Sequence, residues 1–150
     1  MKYNILNTRD VSAIEDQLRK QYGYDAGLEF VFLRTNKDKL YVVSRGIADI
    51  DYGELNINSI GCYFGSIDSG GDIRLSIEGS QIVGPHASKN VVELTEDQFE
   101  RWIQGESLQM DGDRDFKIVK CGDDYLTCGK IIDGELKNYV PKSRTIKNLL

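Results

Sequence analysis

Asp133-Gly134 constrains the fold of this chain more tightly than any other pair of residues. A two-residue hairpin turn needs positive φ at both central positions, and Asp-Gly supplies two residues that tolerate it. The β-rich runs YLTCGKII and ELKNYV flank the pair, and FKIVKC precedes them. The spacing predicts three strands, at least two of them in an antiparallel hairpin, so the second half of the chain is expected to be mainly β.

The segment before these strands carries the clearest helix start. In Thr95-Glu96-Asp97-Gln98 the threonine is placed to accept N-terminal backbone hydrogens and the glutamine to reciprocate. Phe99, Trp102 and Ile103 form its apolar stripe, and Gly105 is expected to end it. Near the N-terminus, Val11, Ile14, Leu18 and Tyr22 recur at helical spacing over residues 10–22, and Gly23 is a natural stop. Two β-rich runs follow, at Leu28–Arg34 and Leu40–Ser44, joined by the polar Asn36, Lys37 and Asp38. The pattern weakens from Arg45 to Asn58, and Ile60–Ile67 again reads as extended. Residues 73–83 fit strand or short helix; alternating Ile73, Leu75 and Ile77 favour strand, with Gly79 marking a bend. The small and polar stretch Asp68-Ser69-Gly70-Gly71-Asp72 marks a unit boundary too short to separate independently tumbling domains. The expected fold class is therefore α+β, in two packed units, 1–71 and 72–150.

Charge narrows the function classes. The 150 residues carry a net charge of −5, which argues against a protein that holds nucleic acid by being basic everywhere. The distribution is uneven: residues 1–116 hold 12 Lys/Arg against 20 Asp/Glu, whereas residues 117–150 hold 7 against 4. A polyanion would meet the C-terminal end first. There is no apolar run long enough for a membrane helix, and the start MKYNILNTRDVSAIED lacks the continuous hydrophobic stretch of a signal peptide, so a cytoplasmic protein is expected.

Signals for catalysis or metal binding are thin. His86 is the sole histidine, which excludes a multi-histidine metal site. Asp111, Asp113 and Asp115 alternate like the start of a calcium loop, but position twelve is Gly122 rather than glutamate. Cys62, Cys121 and Cys128 form no paired framework and read as buried thiols, and the glycines form neither a dinucleotide fingerprint nor a phosphate loop. Gly129 is expected to remove bulk where the strands bend or another backbone approaches, with Lys130 at the sheet rim. No catalytic residue, cofactor or metal is expected. The basic end is more concrete. Lys142, Arg144 and Lys147 can meet phosphate oxygens, Asn138 can read a base edge or cap a loop, and Tyr139 can stack on an exposed base.

Three ordered stretches carry a family resemblance. Gly84-Pro85-His86-Ala87-Ser88-Lys89-Asn90-Val91-Val92-Glu93-Leu94 precedes the capped helix. Gly122-Asp123-Asp124-Tyr125-Leu126-Thr127-Cys128-Gly129-Lys130 and Asp133-Gly134-Glu135-Leu136-Lys137-Asn138-Tyr139-Val140-Pro141-Lys142 follow it. Together they resemble the C-terminal PUA-like RNA-binding region of NOL1/NOP2/Sun-type RNA cytosine methyltransferases and of related small archaeal stand-alone proteins. The likeness is best over residues 72–146. A looser one, to the small α/β unit that precedes this module, covers residues 1–70.

The resemblance implies a β-pseudobarrel with a short helix, packed against a small N-terminal α/β subdomain. It implies RNA contact near the first helix and an adjoining strand, which brings in Lys89, and at the terminal motif, which brings in Lys142 and Arg144. The expected RNA-binding set is thus Lys89, Lys130, Asn138, Tyr139, Lys142, Arg144 and Lys147. The expected function is non-catalytic positioning of structured RNA, ribosomal or transfer, in ribosome biogenesis or RNA modification, with a processing or modification protein as a further partner and no DNA specificity. The catalytic half of the methyltransferases has no counterpart in the chain. The alternative is a protein-interaction adaptor that uses the acidic N-terminal half.

Overall fold

A computed structural model of the chain describes residues 3–44 and 61–145. The reading of Arg45–Asn58 and the candidate Lys147 lie outside the described residues. The chain opens with β1 (Tyr3–Ile5), α1 (Thr8–Tyr22), β2 (Phe30–Thr35), β3 (Lys39–Ser44), β4 (Cys62–Ile67) and β5 (Ile73–Leu75). Then follow α2 (Ile77–Val83), a 3-10 turn at Gly84–His86, β6 (Val91–Glu93), α3 (Glu96–Ile103) and β7 (Leu108–Gln109). The chain continues through β8 (Phe116–Cys121), β9 (Asp124–Ile132), β10 (Glu135–Asn138) and a second 3-10 turn at Lys142–Arg144.

The local chemistry explains the boundaries. Asn7 caps α1 by accepting the Asp10 backbone N–H at 2.9 Å, so the helix begins two residues before its expected start. Gly23, at φ 63°, ends it with its N–H on the Arg19 carbonyl. Between β2 and β3 the Thr35 hydroxyl accepts the N–H groups of Lys37 and Lys39, and Asp38 takes φ 60° to complete the reversal. Thr95 and Gln98 form the expected capping box of α3. Asp133 and Gly134, at φ 50° and 77°, turn β9 into β10 with Ile132 opposite Glu135.

Residues 73–83 depart from the strand-and-bend expectation. The strand stops at Leu75, because Ser76 caps a helix by accepting the Gly79 N–H at 2.8 Å. Gly79 is then a helical residue at a close approach: a β-carbon there would collide with the Phe64 carbonyl oxygen. Its missing side chain lets α2 lie against β4.

Two five-stranded sheets result. The first runs β1-β2-β3-β4-β5, antiparallel throughout. The second, a curled half-barrel, runs β6-β8-β9-β10-β7, with β6 parallel to β8 and the other pairs antiparallel. The architecture is α+β, as expected. The main core joins the two sheets: Leu18 and Tyr22 of α1, Phe32 and Phe64 of the first sheet, and Phe116, Ile118 and Cys128 of the second pack in one apolar cluster. A second cluster belongs to the second sheet and α3, with Trp102 set against Leu108, Val119, Ile131 and Leu136. Gly129 makes room for it, since a β-carbon there would press on the Trp102 ring at 2.9 Å.

Candidate functional site

The chain leaves β10 under tight control. The Asn138 side-chain amide donates to the carbonyls of Trp102 at 2.8 Å and Glu106 at 3.0 Å, satisfying backbone acceptors at the C-terminal end of α3. Its side-chain oxygen accepts the Val140 N–H at 2.9 Å, and its own N–H donates to the Ser107 hydroxyl. Both amide hydrogens are therefore engaged. Of the two roles the sequence leaves open for Asn138, the geometry realises the loop cap, and that cap fixes the course of the strap Tyr139–Arg144.

The strap borders a cleft of about 110 Å³ whose opposite wall comes from β4, β5 and α2, through Tyr63, Arg74 and Glu78. The Arg74 guanidinium lies 5.0 Å over the Tyr139 ring, and Tyr139 remains 38% exposed. Arg144 Nη1 meets Glu78 Oε1 at 2.5 Å, with the arginine side chain about half exposed. An ion pair this open to water contributes about 0–1 kcal/mol, so a phosphate oxygen can replace the carboxylate at small cost. Lys142 stands exposed in the same 3-10 turn. Cys128, which also lines the cleft, is buried, and burial pushes its thiol up to about 11. A neutral thiol of this kind is a packing group rather than a nucleophile.

The remaining candidates stand elsewhere. Lys130 lines no part of the cleft; its ammonium lies 4.7 Å over the Phe116 ring, and Lys137, its cross-strand neighbour, pairs with Glu135 at 2.8 Å. Lys89 is exposed in the loop before β6, tied down through its backbone N–H to the Tyr22 carbonyl at 3.2 Å. Nearby, Lys117 Nζ donates to Asn90 Oδ1 at 2.7 Å. The structure thus brings Tyr139 and Arg144 to one cleft, with Lys142 on the same strap, and leaves Lys89 and Lys130 off it. The exposed residues of α3 include Glu96, Asp97 and Glu100, with Arg101 drawn to Glu106 at 3.6 Å, a face that repels phosphate.

Arg74, Tyr63 and Glu78 are absent from the sequence-derived set. Arg74 had a signal: it alternates with the apolar Ile73 and Leu75, which turns it away from the core in a strand. Its pairing with Tyr139, 65 positions on, has no local signature. Among the described residues no group of three or more His, Cys, Asp or Glu is arranged to hold a metal ion, and no helix is long and apolar enough to cross a membrane.

Residues 89–146 match the family model of the methyltransferase RsmF PUA domain, so this stretch is a PUA-type module. The match begins at Lys89 and takes in β6 to β10 and the strap; Tyr63, Arg74 and Glu78, on the opposite wall of the cleft, precede it. It concerns the PUA part of that methyltransferase, not a catalytic part. No curated protein sequence matches the chain.

Proposed function

We propose, from a PUA-type module at residues 89–146, that the chain is a non-catalytic RNA-binding protein that positions structured RNA, ribosomal or transfer, in ribosome biogenesis or RNA modification. On this reading it works in the cytoplasm beside a processing or modification protein, residues 72–150 form the PUA-like domain, and residues 1–71 form an N-terminal α/β subdomain packed against it. The observation that carries the reading is the cleft in which Tyr139 and Arg144 face Arg74 and Glu78.

The mechanism is exchange. Arg144 trades a surface carboxylate for a phosphate oxygen, and Lys142 adds a second positive charge on the same strap. Arg74 gives up the Tyr139 ring to an unpaired base, which stacks there, and turns its own guanidinium to the backbone. Asn138 contributes by holding the strap in place. Lys89 and Lys130 would take part only if a longer RNA ran beyond the cleft.

The test is a titration of the intact protein with structured ribosomal and transfer RNA fragments at two salt concentrations, repeated with Arg74→Ala and Arg144→Ala together. Removing one cation from a phosphate oxygen should reduce the slope of log affinity against log salt by about 0.7–0.9, so the double variant should bind weakly with a slope shallower by about 1.5. Saturable binding with the same affinity and slope in the double variant would remove the cleft from the interface. No saturable binding by the unmodified protein would end the RNA reading.

A further inference from the structure

The strap borders a second hollow. It adjoins the Arg74 cleft, shares Ile77, Thr127, Val140 and Arg144 with it, measures about 190 Å³ and has apolar walls from Ile77, Ile103 and Leu126. Three polar groups in its lining lack partners among the described residues. The Trp102 indole N–H is fully enclosed without an acceptor. Thr127, only 5% exposed, makes no side-chain hydrogen bond, and neither does the Gln81 amide at the rim. Of the three, only the Trp102 N–H is closed off from solvent, and an enclosed donor left unmet costs about 1–3 kcal/mol; the Thr127 hydroxyl and the exposed Gln81 amide are open to an incoming partner. Apolar walls with a few convergent polar groups are also the usual make-up of a small-molecule site, and this volume suits one ring system rather than a drug-sized ligand.

We infer that this hollow takes a single unpaired nucleobase from an RNA strand whose phosphate is held by Arg144. The occupant follows from charge and chemistry together: Arg144 borders both the cleft and the hollow, so the group entering beside it carries negative charge close to a flat apolar ring. A nucleotide has both, and its ring carbonyls and amino groups answer the open Thr127 and Gln81 side chains. The inference rests on the RNA reading and adds to it a site for base recognition besides the Tyr139 ring.

Trp102 is the only tryptophan and forms part of the wall, so its emission reports on the hollow directly. The intact protein is titrated with a single-stranded RNA of mixed sequence and, separately, with a fully paired duplex, and affinity and Trp102 emission are followed together. The variants are Thr127→Val, which removes the hydroxyl at nearly constant volume, and Gln81→Ala at the exposed rim, each first matched to the unmodified protein in thermal unfolding. Single-stranded RNA should shift the emission saturably and the duplex should not. Each variant should bind the single strand about three- to tenfold more weakly, the worth of one hydrogen bond, with an unchanged salt slope. RNA binding with static emission and undiminished affinity in both variants would overturn the base site while leaving the RNA reading intact. An emission shift with a hydrophobic peptide and none with RNA would overturn it in favour of a protein partner. Absence of all RNA binding would remove both readings.

Discussion

The two apolar clusters of the second sheet are built on different terms. On one face Phe116, Ile118 and Cys128 enter a core whose other members come from α1, the connection after it, α2 and the first sheet. On the other face Val119, Ile131 and Leu136 close on Trp102, Leu94 and Leu108, all from the PUA-type stretch itself. The stretch therefore has one small core of its own and shares a larger one. Its family likeness spans residues 89–146, and the packing marks a larger physical unit. The Arg74–Tyr139 cleft is built across that seam, with one wall from each side.

The strongest way to break this comparison is to cut along it. A fragment of residues 89–146 leaves Phe116, Ile118 and Cys128 without their partners, and the private cluster has only six buried members. So short a chain with a halved core has little margin against the entropy of ordering it. The expected outcome is loss of a cooperative unfolding transition, measured by circular dichroism in denaturant, with binding of a hydrophobic dye. A fragment that melts cooperatively near the midpoint of the full chain would show that the shared core is dispensable.

Next in size are two aromatic deletions, one in each cluster. Phe64 and Trp102 are both essentially buried, and replacing either by alanine should cost about 3–5 kcal/mol. Their local consequences should differ. Phe64 packs edge-on against Phe32 at 5.3 Å, in the core that joins the sheets, so Phe64→Ala should raise amide hydrogen exchange on both sides of the seam. Trp102→Ala should loosen α3, β7 and β10 and leave the β2–β4 amides protected. Equal exchange patterns in the two variants would mean that the clusters behave as one.

Much of this arrangement was legible locally, for a physical reason. Asp133-Gly134, the Thr95–Gln98 box, the α1 stripe and its Gly23 stop encode themselves within a few residues, because caps and tight turns are short-range geometry. The pieces that escaped depend on distant partners. β1 and β6 are three-residue strands with no periodicity of their own, and each is a strand only because β2 or β8 lies beside it. Ile77 continued an alternating pattern that Ser76 interrupts by capping a helix. Of the site, Tyr139 and Arg144 stood out through a basic and aromatic C-terminal run. Arg74 and Glu78 sit in the acidic part of the chain and become site residues only when α2 and β5 are laid against the strap.

The smallest expected effect comes from a buried titratable contact that crosses the seam. Tyr22 of α1 donates its hydroxyl to the Ile73 carbonyl at 2.6 Å and lies 3.7 Å from the Cys128 sulfur of β9. Burial pushes the Cys128 thiol up to about 11 from an ordinary value of 9.0, and burial also raises Tyr22 well above 10.0. Both groups are neutral when protonated, so the native state keeps its protons where the unfolded chain releases them. The resulting stability is complete below about pH 9 and is lost as pH climbs toward 11 and beyond, because the unfolded state then binds fewer protons than the native one. Denaturant midpoints measured from neutral pH to about pH 11 should fall over the upper part of that range. Cys128→Ala removes one of the two groups; it should lower the midpoint at neutral pH by leaving a small void in the core, yet flatten the alkaline decline to the share that Tyr22 carries. Trp102→Ala, which deletes a group with no proton to lose in this range, should lower the whole profile without changing its slope. Parallel slopes in the two variants would show that the alkaline loss arises away from the seam.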